Sequence, residues 1–124
     1  NNIAQRAALA ALTGPQDEIK KMLEAFDRRR HLAVSELSKI KGWVAPMPEG
    51  AFYVYSDVRG LLGTKWGGKL INTSLELCDY ILEEAEVALV PGEAFGPSGY
   101  VRMSYALGDE QIVEGIERLK KLFN

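Results

Sequence analysis

The segment 87–106 constrains the fold more than any other part of the chain, because it combines an apolar run, a Pro/Gly-rich loop and an alternating stretch. Residues 87–90 are all apolar, which is typical of a strand covered on both faces. Residues 91–92 and 96–99 contain the prolines and glycines that favour turns. The alternation over 100–105 then predicts a second strand behind that loop.

Arg102 is the charged side chain of this second predicted strand. Because side chains alternate across a strand, Arg102 shares a face with Tyr100 and Ser104, while Val101 and Met103 lie on the other face. A guanidinium on a rigid strand can grip a carboxylate with two parallel N–H donors, which an ammonium group cannot do. The alternative is that Arg102 is a solvated edge residue or one half of a structural ion pair.

Composition limits the classes of protein to which the chain can belong. With 124 residues, a net charge of −2 and 47% hydrophobic residues, it suits one modest globular domain. No apolar stretch approaches the ~20 residues of a membrane helix, and the near-neutral charge argues against a nucleic-acid surface. The lone Cys78 excludes an internal disulfide and predicts a core thiol in a reducing compartment. The reducing compartment indicated by Cys78 predicts a cytoplasmic location. His31 has no second ligand at helical spacing, so we expect no metal site.

The first half of the chain is dominated by a long helical pattern. Thr13 as N-cap and Gln16 at the capping-box position predict its start, and Gly42 its C-terminal cap. Its apolar stripe consists of Ile19, Met22, Leu23, Phe26, Ala33, Leu37 and Ile40. We therefore expect one helix over 14–42, on the order of 40 Å long, which bridges to another unit.

The sequence pattern over 43–72 indicates secondary structure less clearly than the helical pattern before it. The segments 43–45 and 51–55 are typical of two short strands, and their pairing as a hairpin is plausible without being required. Phe52 or Tyr53 could line a pocket, although such aromatic residues more often pack in a core. Residues 56–72 are predicted to form an irregular, mobile surface loop.

Two further helices are predicted in the second half of the chain. Thr73 and Glu76 form a capping box that predicts a helix through Glu84, and Gly108 and Asp109 start a final helix. The side chains expected to face inward are Leu75, Cys78, Ile81 and Leu82 in the first of these helices, and Ile112, Val113, Ile116, Leu119 and Phe123 in the second. The order of elements predicts an α/β two-layer sandwich, with a small, largely antiparallel sheet packed by helices.

Three segments resemble the class I pyridoxal-phosphate (PLP) aminotransferases of the aspartate aminotransferase type. The segment 87–106 contains Pro-Gly, Phe-Gly and apolar-Arg-apolar-Ser, which resemble the C-terminal signature of that family. The sequence Gly-Ala-Phe-Tyr-Val at 50–54 resembles the strand that enters the small domain near the substrate entrance. Residues 2–12, an Ala-rich helix that Asn1 or Asn2 can cap, resemble the segment that leads out of the large domain.

The resemblance implies a fold, a reaction and a site. The chain would be the C-terminal small domain, with a connecting helix over 1–13, a long helix over 14–42 and an α/β core over 43–124. The whole enzyme would be a PLP-dependent homodimer that transfers an amino group between an amino acid and a 2-oxo acid. Arg102 would bind the substrate α-carboxylate in a bidentate fork, and Gly50 and Phe52 would line the substrate pocket.

The groups that bind PLP are expected outside this chain. PLP chemistry needs a Schiff-base lysine, an acidic partner for the pyridinium nitrogen and groups that cradle the phosphate. In the family these belong to the large domain, and no lysine here lies in the expected Ser-Lys setting followed by a Gly-x-Arg-x-Gly pattern. We therefore predict no catalytic or cofactor-binding residue here, and no transamination by the 124-residue chain alone. Since the chain begins Asn-Asn-Ile without a methionine, we also expect a piece of a longer protein.

Two other classes of function stay open at this point. One is a regulatory α/β module that binds a small anion through Arg102 and the loop 92–99. The other is a dimerisation domain built on the long helix. A large domain with a Schiff-base lysine encoded upstream would favour the enzyme over both.

Overall fold

The computed structural model describes residues 1–124 as four helices and five strands. The helices are α1 (Asn2–Thr13), α2 (Asp17–Leu37), α3 (Ser74–Ala85) and α4 (Asp109–Phe123). The strands are β1 (Tyr53–Asp57), β2 (Thr64–Trp66), β3 (Lys69–Ile71), β4 (Val90–Pro91) and β5 (Tyr100–Ser104). None of the helices is both long enough and apolar enough to cross a lipid bilayer.

The central sheet has three antiparallel strands in the order β1-β5-β4. In this register Tyr55 of β1 and Val90 of β4 both lie opposite Arg102 of β5. The predicted alternation in β5 is confirmed, because Val101 and Met103 are buried while Arg102 is only half-buried. Arg102 therefore stands on the middle strand, on the sheet face that points away from the core.

Helices α2 and α3 cover the opposite face of the sheet, with α2 against β1 and α3 against β4 and β5, and α4 packs against both of these helices. The fully buried apolar side chains of this core are Ala33, Leu37, Val54, Val58, Ile71, Leu77, Ile81, Val101, Ile112, Ile116 and Leu119. Burial of each larger side chain stabilises the fold by about 1.5–3 kcal/mol. The predicted α/β fold, in which helices pack on a small antiparallel sheet, is confirmed.

The long helix is shorter than predicted and begins later. The Thr13 hydroxyl donates to the carbonyl of Leu9 at 2.8 Å, so Thr13 ends α1 instead of capping α2. Helix α2 stops at Leu37, and the chain continues through turns to Gly42, which has a positive φ of 86°. The 21 residues of α2 therefore span about 32 Å, not 40 Å.

The strand predictions needed two corrections. The segment 43–45 is not a strand, since only Val44 makes a single bridge, to Asp57, and β1 pairs with β5 instead. The run 87–90 is a strand only from Val90 onward and is half-exposed instead of covered on both faces. Glu86 adopts the left-handed conformation at the end of α3, and the chain reaches the sheet edge only at Val90.

The predicted loop over 56–72 is wrong, because most of it has regular structure. Its first residues belong to β1, and β2 and β3 form a hairpin joined by Gly67 and Gly68. Both glycines have positive φ, as a two-residue hairpin turn requires. Trp66 anchors the hairpin, since its indole N–H donates to the carbonyl of Leu61 at 2.9 Å and its ring packs on Phe123.

The caps of α1 and α3, and most of the side chains predicted to face inward in α3 and α4, agree with the predictions. Asn1 caps α1, and the capping box of Thr73 and Glu76 opens α3. Three side chains that were expected to face inward are exposed instead, namely Leu75, Leu82 and Val113. In α3 the buried arc is centred on Leu77, Cys78 and Ile81, and a rotation of about 100° per residue carries Leu75 and Leu82 outside that arc.

Candidate functional site

Arg102 lies in an open pocket of about 370 Å³ on the exposed face of the sheet. The other residues of the pocket wall are Tyr53, Tyr55, Phe95 and Pro97. The guanidinium carbon lies 5.3 Å from the centre of the Tyr53 ring and 5.2 Å from that of Phe95. Two aromatic faces thus hold the cation by cation–π attraction, without taking up its N–H donors.

The guanidinium of Arg102 has no carboxylate partner within the chain. Most of the other arginines are ion-paired, namely Arg28, Arg29, Arg30, Arg59 and Arg118. The Nε atom of Arg102 is buried and makes no hydrogen bond. Because an unsatisfied buried donor is costly, this arrangement is suited to an anionic ligand that supplies the acceptors.

Tyr55 adds a second polar group to the same wall. Its hydroxyl is buried and has no hydrogen-bond partner. Burial raises the pKa of the Tyr55 phenol, and the neighbouring Tyr100 and Glu93 raise it further. The phenol is therefore neutral near pH 7 and able to donate a hydrogen bond.

The loop 92–99 forms one side of the pocket, and both of its ends are tied to the fold. The Ser74 hydroxyl, at the start of α3, donates to a carboxylate oxygen of Glu93 at 2.6 Å and accepts from the Gly99 N–H at 2.9 Å. Burial would raise the pKa of Glu93, but hydrogen bonds from Ser74, Ser98 and backbone N–H groups outweigh it and hold that pKa at about 2. Glu93 is therefore ionised near pH 7 and acts as a charged anchor for the loop.

The structure separates the sequence-predicted site residues. Phe52 is exposed, and its ring contacts the edge of Tyr53 at 5.7 Å between centroids, outside the wall of the Arg102 pocket. Gly50 is exposed in a different groove, beside Phe26 and Arg30. Tyr53, the alternative to Phe52, lines the pocket. A role for Gly50 and Phe52 toward substrate stays a prediction.

Tyr55 and Phe95 were missed by the sequence reasoning. Tyr55 had a usable signal, since it is two residues from Tyr53 and therefore on the same face of the strand. The sequence contained no such signal for Phe95, because its position depends on how the loop 92–99 folds back onto the sheet.

Comparison with known proteins identifies the class. The profile of the family described as "Aminotransferase class I and II" matches residues 1–119, so the chain belongs to that family. This confirms the resemblance found in the sequence.

Particular relatives are similar over essentially the whole chain. An aspartate aminotransferase from Streptomyces avermitilis is 55% identical over 100% of this chain and 30% of its own length. A probable aspartate/prephenate aminotransferase from Aquifex aeolicus is 48% identical over 95% of this chain and 29% of its own length. The crystal structure of the aspartate aminotransferase from Rhizobium meliloti is 45% identical, with a TM-score of 0.92 over 97% of this chain and 30% of that one. The chain thus spans about a third of the length of the relatives that it matches.

No lysine lines the Arg102 pocket. Lys120, the lysine with the most buried side chain, is ion-paired with Glu36 and Glu117, where α4 packs against α2. No lysine is therefore placed to form a Schiff base beside Arg102.

Proposed function

We propose that this chain is the C-terminal part of a PLP-dependent aminotransferase, and that Arg102 binds the α-carboxylate of the substrate. The observation that carries the proposal is an unpaired guanidinium in an open aromatic pocket, on a chain of the aminotransferase family. The whole protein would transfer an amino group between an amino acid and a 2-oxo acid. Aspartate is the amino donor to test first, because the relatives are named for it.

The chemical role of Arg102 follows from its geometry. A planar guanidinium donates two parallel N–H bonds to the two oxygens of a carboxylate. The aromatic walls reduce the access of water, which strengthens this charge interaction. A carboxylate held at two points fixes the orientation of the substrate Cα, and such positioning supplies part of the catalysis.

PLP, when bound, supplies the electron sink of transamination. Its lysine, its acidic partner and its phosphate-binding groups would come from polypeptide outside residues 1–124. The role proposed for this chain is therefore substrate positioning and closure of the cleft against a large domain.

The exposed apolar side chains of α1 support the proposed division of the chain into a connecting helix over 1–13, a long helix over 14–42 and an α/β core over 43–124. Helix α1 has no buried residue, and Ile3, Leu9 and Leu12 are all exposed. The first half of α2 continues this surface with Ile19 and Met22. We propose that a preceding large domain covers this apolar face. The expected homodimer stays a prediction from the resemblance, and the cytoplasmic location stays a prediction from the single cysteine.

A regulatory anion-binding module is not favoured, because the aminotransferase match extends over 119 of the 124 residues. The same match counts against a purely structural dimerisation domain.

Arg102→Lys in the full-length protein tests the proposal. The lysine keeps the charge but loses the two-point fork, so we expect KM for the amino acid to rise and kcat to fall. A loss of about 2–3 kcal/mol corresponds to roughly 30- to 150-fold in kcat/KM. Arg118→Lys is the matched control, because Arg118 pairs with Glu86 and Glu114 away from the pocket. Unchanged kinetics of the Arg102→Lys variant would remove Arg102 from its proposed role.

A further inference from the structure

We propose that Ser74 and Glu93 are positioning residues for Arg102: together they clip the loop 92–99 to α3 and so hold Phe95 against the guanidinium. This inference rests on the proposed function of Arg102. It extends that function to two residues that lie outside the wall of the pocket.

One buried hydroxyl makes the clip. Ser74 is fully buried, and its Oγ atom acts once as donor, to Glu93, and once as acceptor, from the N–H of Gly99. A hydroxyl has one proton to donate and lone pairs to accept, so both bonds form at the same time. The start and the end of the loop are thereby joined to the first turn of a core helix.

The backbone of the loop is fixed between these two points. The N–H groups of Phe95 and Gly96 donate to the carbonyl of Gly92 at 2.8 and 3.0 Å. At the other end the carbonyl of Gly99 accepts from the N–H of Val58 at 2.9 Å. Hydrogen bonds at both ends, together with the buried Gly92 and Gly99, therefore hold the shape of the loop.

Phe95 depends on this scaffold, because it is itself 53% exposed. Its ring nonetheless lies 5.2 Å from the guanidinium carbon of Arg102 and meets the ring of Tyr55 edge-on at 6.1 Å. Tyr53 flanks the guanidinium at 5.3 Å. A side chain with so little burial of its own holds this position because the loop holds it.

The consequence concerns how the carboxylate is bound. A guanidinium that two rings already orient loses less freedom when it binds, which is the advantage of preorganisation. Without the clip Phe95 would leave Arg102, and the guanidinium would sample other rotamers while keeping its charge. Ground state and transition state would both be bound less tightly, so KM should rise while kcat changes little.

The test compares Ser74→Ala, Glu93→Ala and Phe95→Leu in the full-length protein. We expect each to raise KM for the amino acid about five- to tenfold, with kcat changed less than about twofold. Because Ser74 and Glu93 share one hydrogen bond, the double variant should raise KM by less than the product of the two single effects. Phe95→Tyr keeps the ring and should restore KM to about the wild-type value. Ser38→Ala is the matched control, since that hydroxyl bonds only to the Val34 carbonyl on an exposed helix end.

A second readout does not depend on activity. In the 124-residue chain, ring currents from Phe95 and Tyr53 should shift the Nε–H resonance of Arg102 from the free-arginine position. The Ser74→Ala and Phe95→Leu variants should move it back toward that position, and Ser38→Ala should not.

The clip is overturned if Ser74→Ala and Phe95→Leu leave both KM and the Nε–H resonance at wild-type values while Arg102→Lys still impairs the enzyme. If Arg102→Lys has no effect either, the proposed function itself fails. The exposed position of Phe95 keeps its variants foldable even where Ser74→Ala is not.

Discussion

Replacing Gly92 with alanine should destabilise the fold, because the loop beside the Arg102 pocket has no space for a methyl group there. An added Cβ would overlap the carbonyl oxygen of Pro97 and would lie 2.9 Å from that of Tyr100 and 3.0 Å from the Tyr55 hydroxyl. Two of these atoms belong to the backbone, so the loop itself must shift. Overpacking of this kind costs about 1–3 kcal/mol, and two backbone overlaps favour an effect of about 2–3 kcal/mol.

Gly115→Ala is the matched control with the opposite sign. Gly115 lies inside α4, and the nearest atom to an added Cβ is a methyl of Val87 at 4.0 Å. Alanine in a helix interior is favoured over glycine by roughly 0.5–1 kcal/mol, so this variant should be more stable than wild type.

Urea unfolding of the two variants measures both effects. With a slope of about 2 kcal/mol per molar urea, the midpoint should fall by about 1–1.5 M for Gly92→Ala and rise by a few tenths of a molar for Gly115→Ala. A Gly92→Ala variant as stable as wild type would refute the tight packing of the loop against Tyr55 and β5.

Three further predictions concern charge, burial and the uncovered face. Hydrogen bonds from Arg28 and Arg29 hold the pKa of Asp109 at about 2. Since the folded pKa lies below the unfolded value of about 4, this stabilisation is present above that value and is lost as pH falls toward 2. Asp109→Asn should therefore lower the melting temperature more at pH 7 than at pH 2, and equal shifts would contradict the ion pairs. Burial, with repulsion from nearby carboxylates, raises the pKa of the Cys78 thiol to about 12. Iodoacetamide at pH 8 should therefore modify Cys78 at least about tenfold faster in urea than in the folded chain. Equal rates would place the thiol at the surface. Leu12→Gln should leave the unfolding free energy of the 124-residue chain within about 0.5 kcal/mol of the wild-type value, as at other exposed positions. The same substitution should destabilise the full-length protein, where we propose that this face is covered. No change in either protein would argue against a covered apolar face.

Local signals in the sequence predicted the elements whose determinants lie close together along the chain. The capping box of Thr73 and Glu76 needs only four consecutive residues, and it forms as expected. The alternation around Arg102 likewise needs only the period of a strand, and it placed the guanidinium on the open face. Arg102 could be proposed because its type, its face and its flanking motif are all readable without the fold.

Other features depend on contacts that no local pattern contains. Thr13 could cap the following helix or end the preceding one, and its bond to Leu9 decides for the second. The apolar run at 87–89 was suitable for a strand, but the left-handed Glu86 delays pairing until Val90. The place of Phe95 over Arg102 is set by how the loop 92–99 folds back onto the sheet, and the bond from Ser74 to Glu93 joins that loop to a helix that the sequence alone does not link to it.

A crystal structure of the full-length protein with an unreactive amino-acid analogue tests the central claim most directly. We expect two guanidinium nitrogens of Arg102 to lie about 2.7–2.9 Å from the two α-carboxylate oxygens of the analogue, with Tyr53 and Phe95 on either side. An analogue whose carboxylate is held by other groups, with Arg102 paired instead to an acidic side chain of the large domain, would contradict the account.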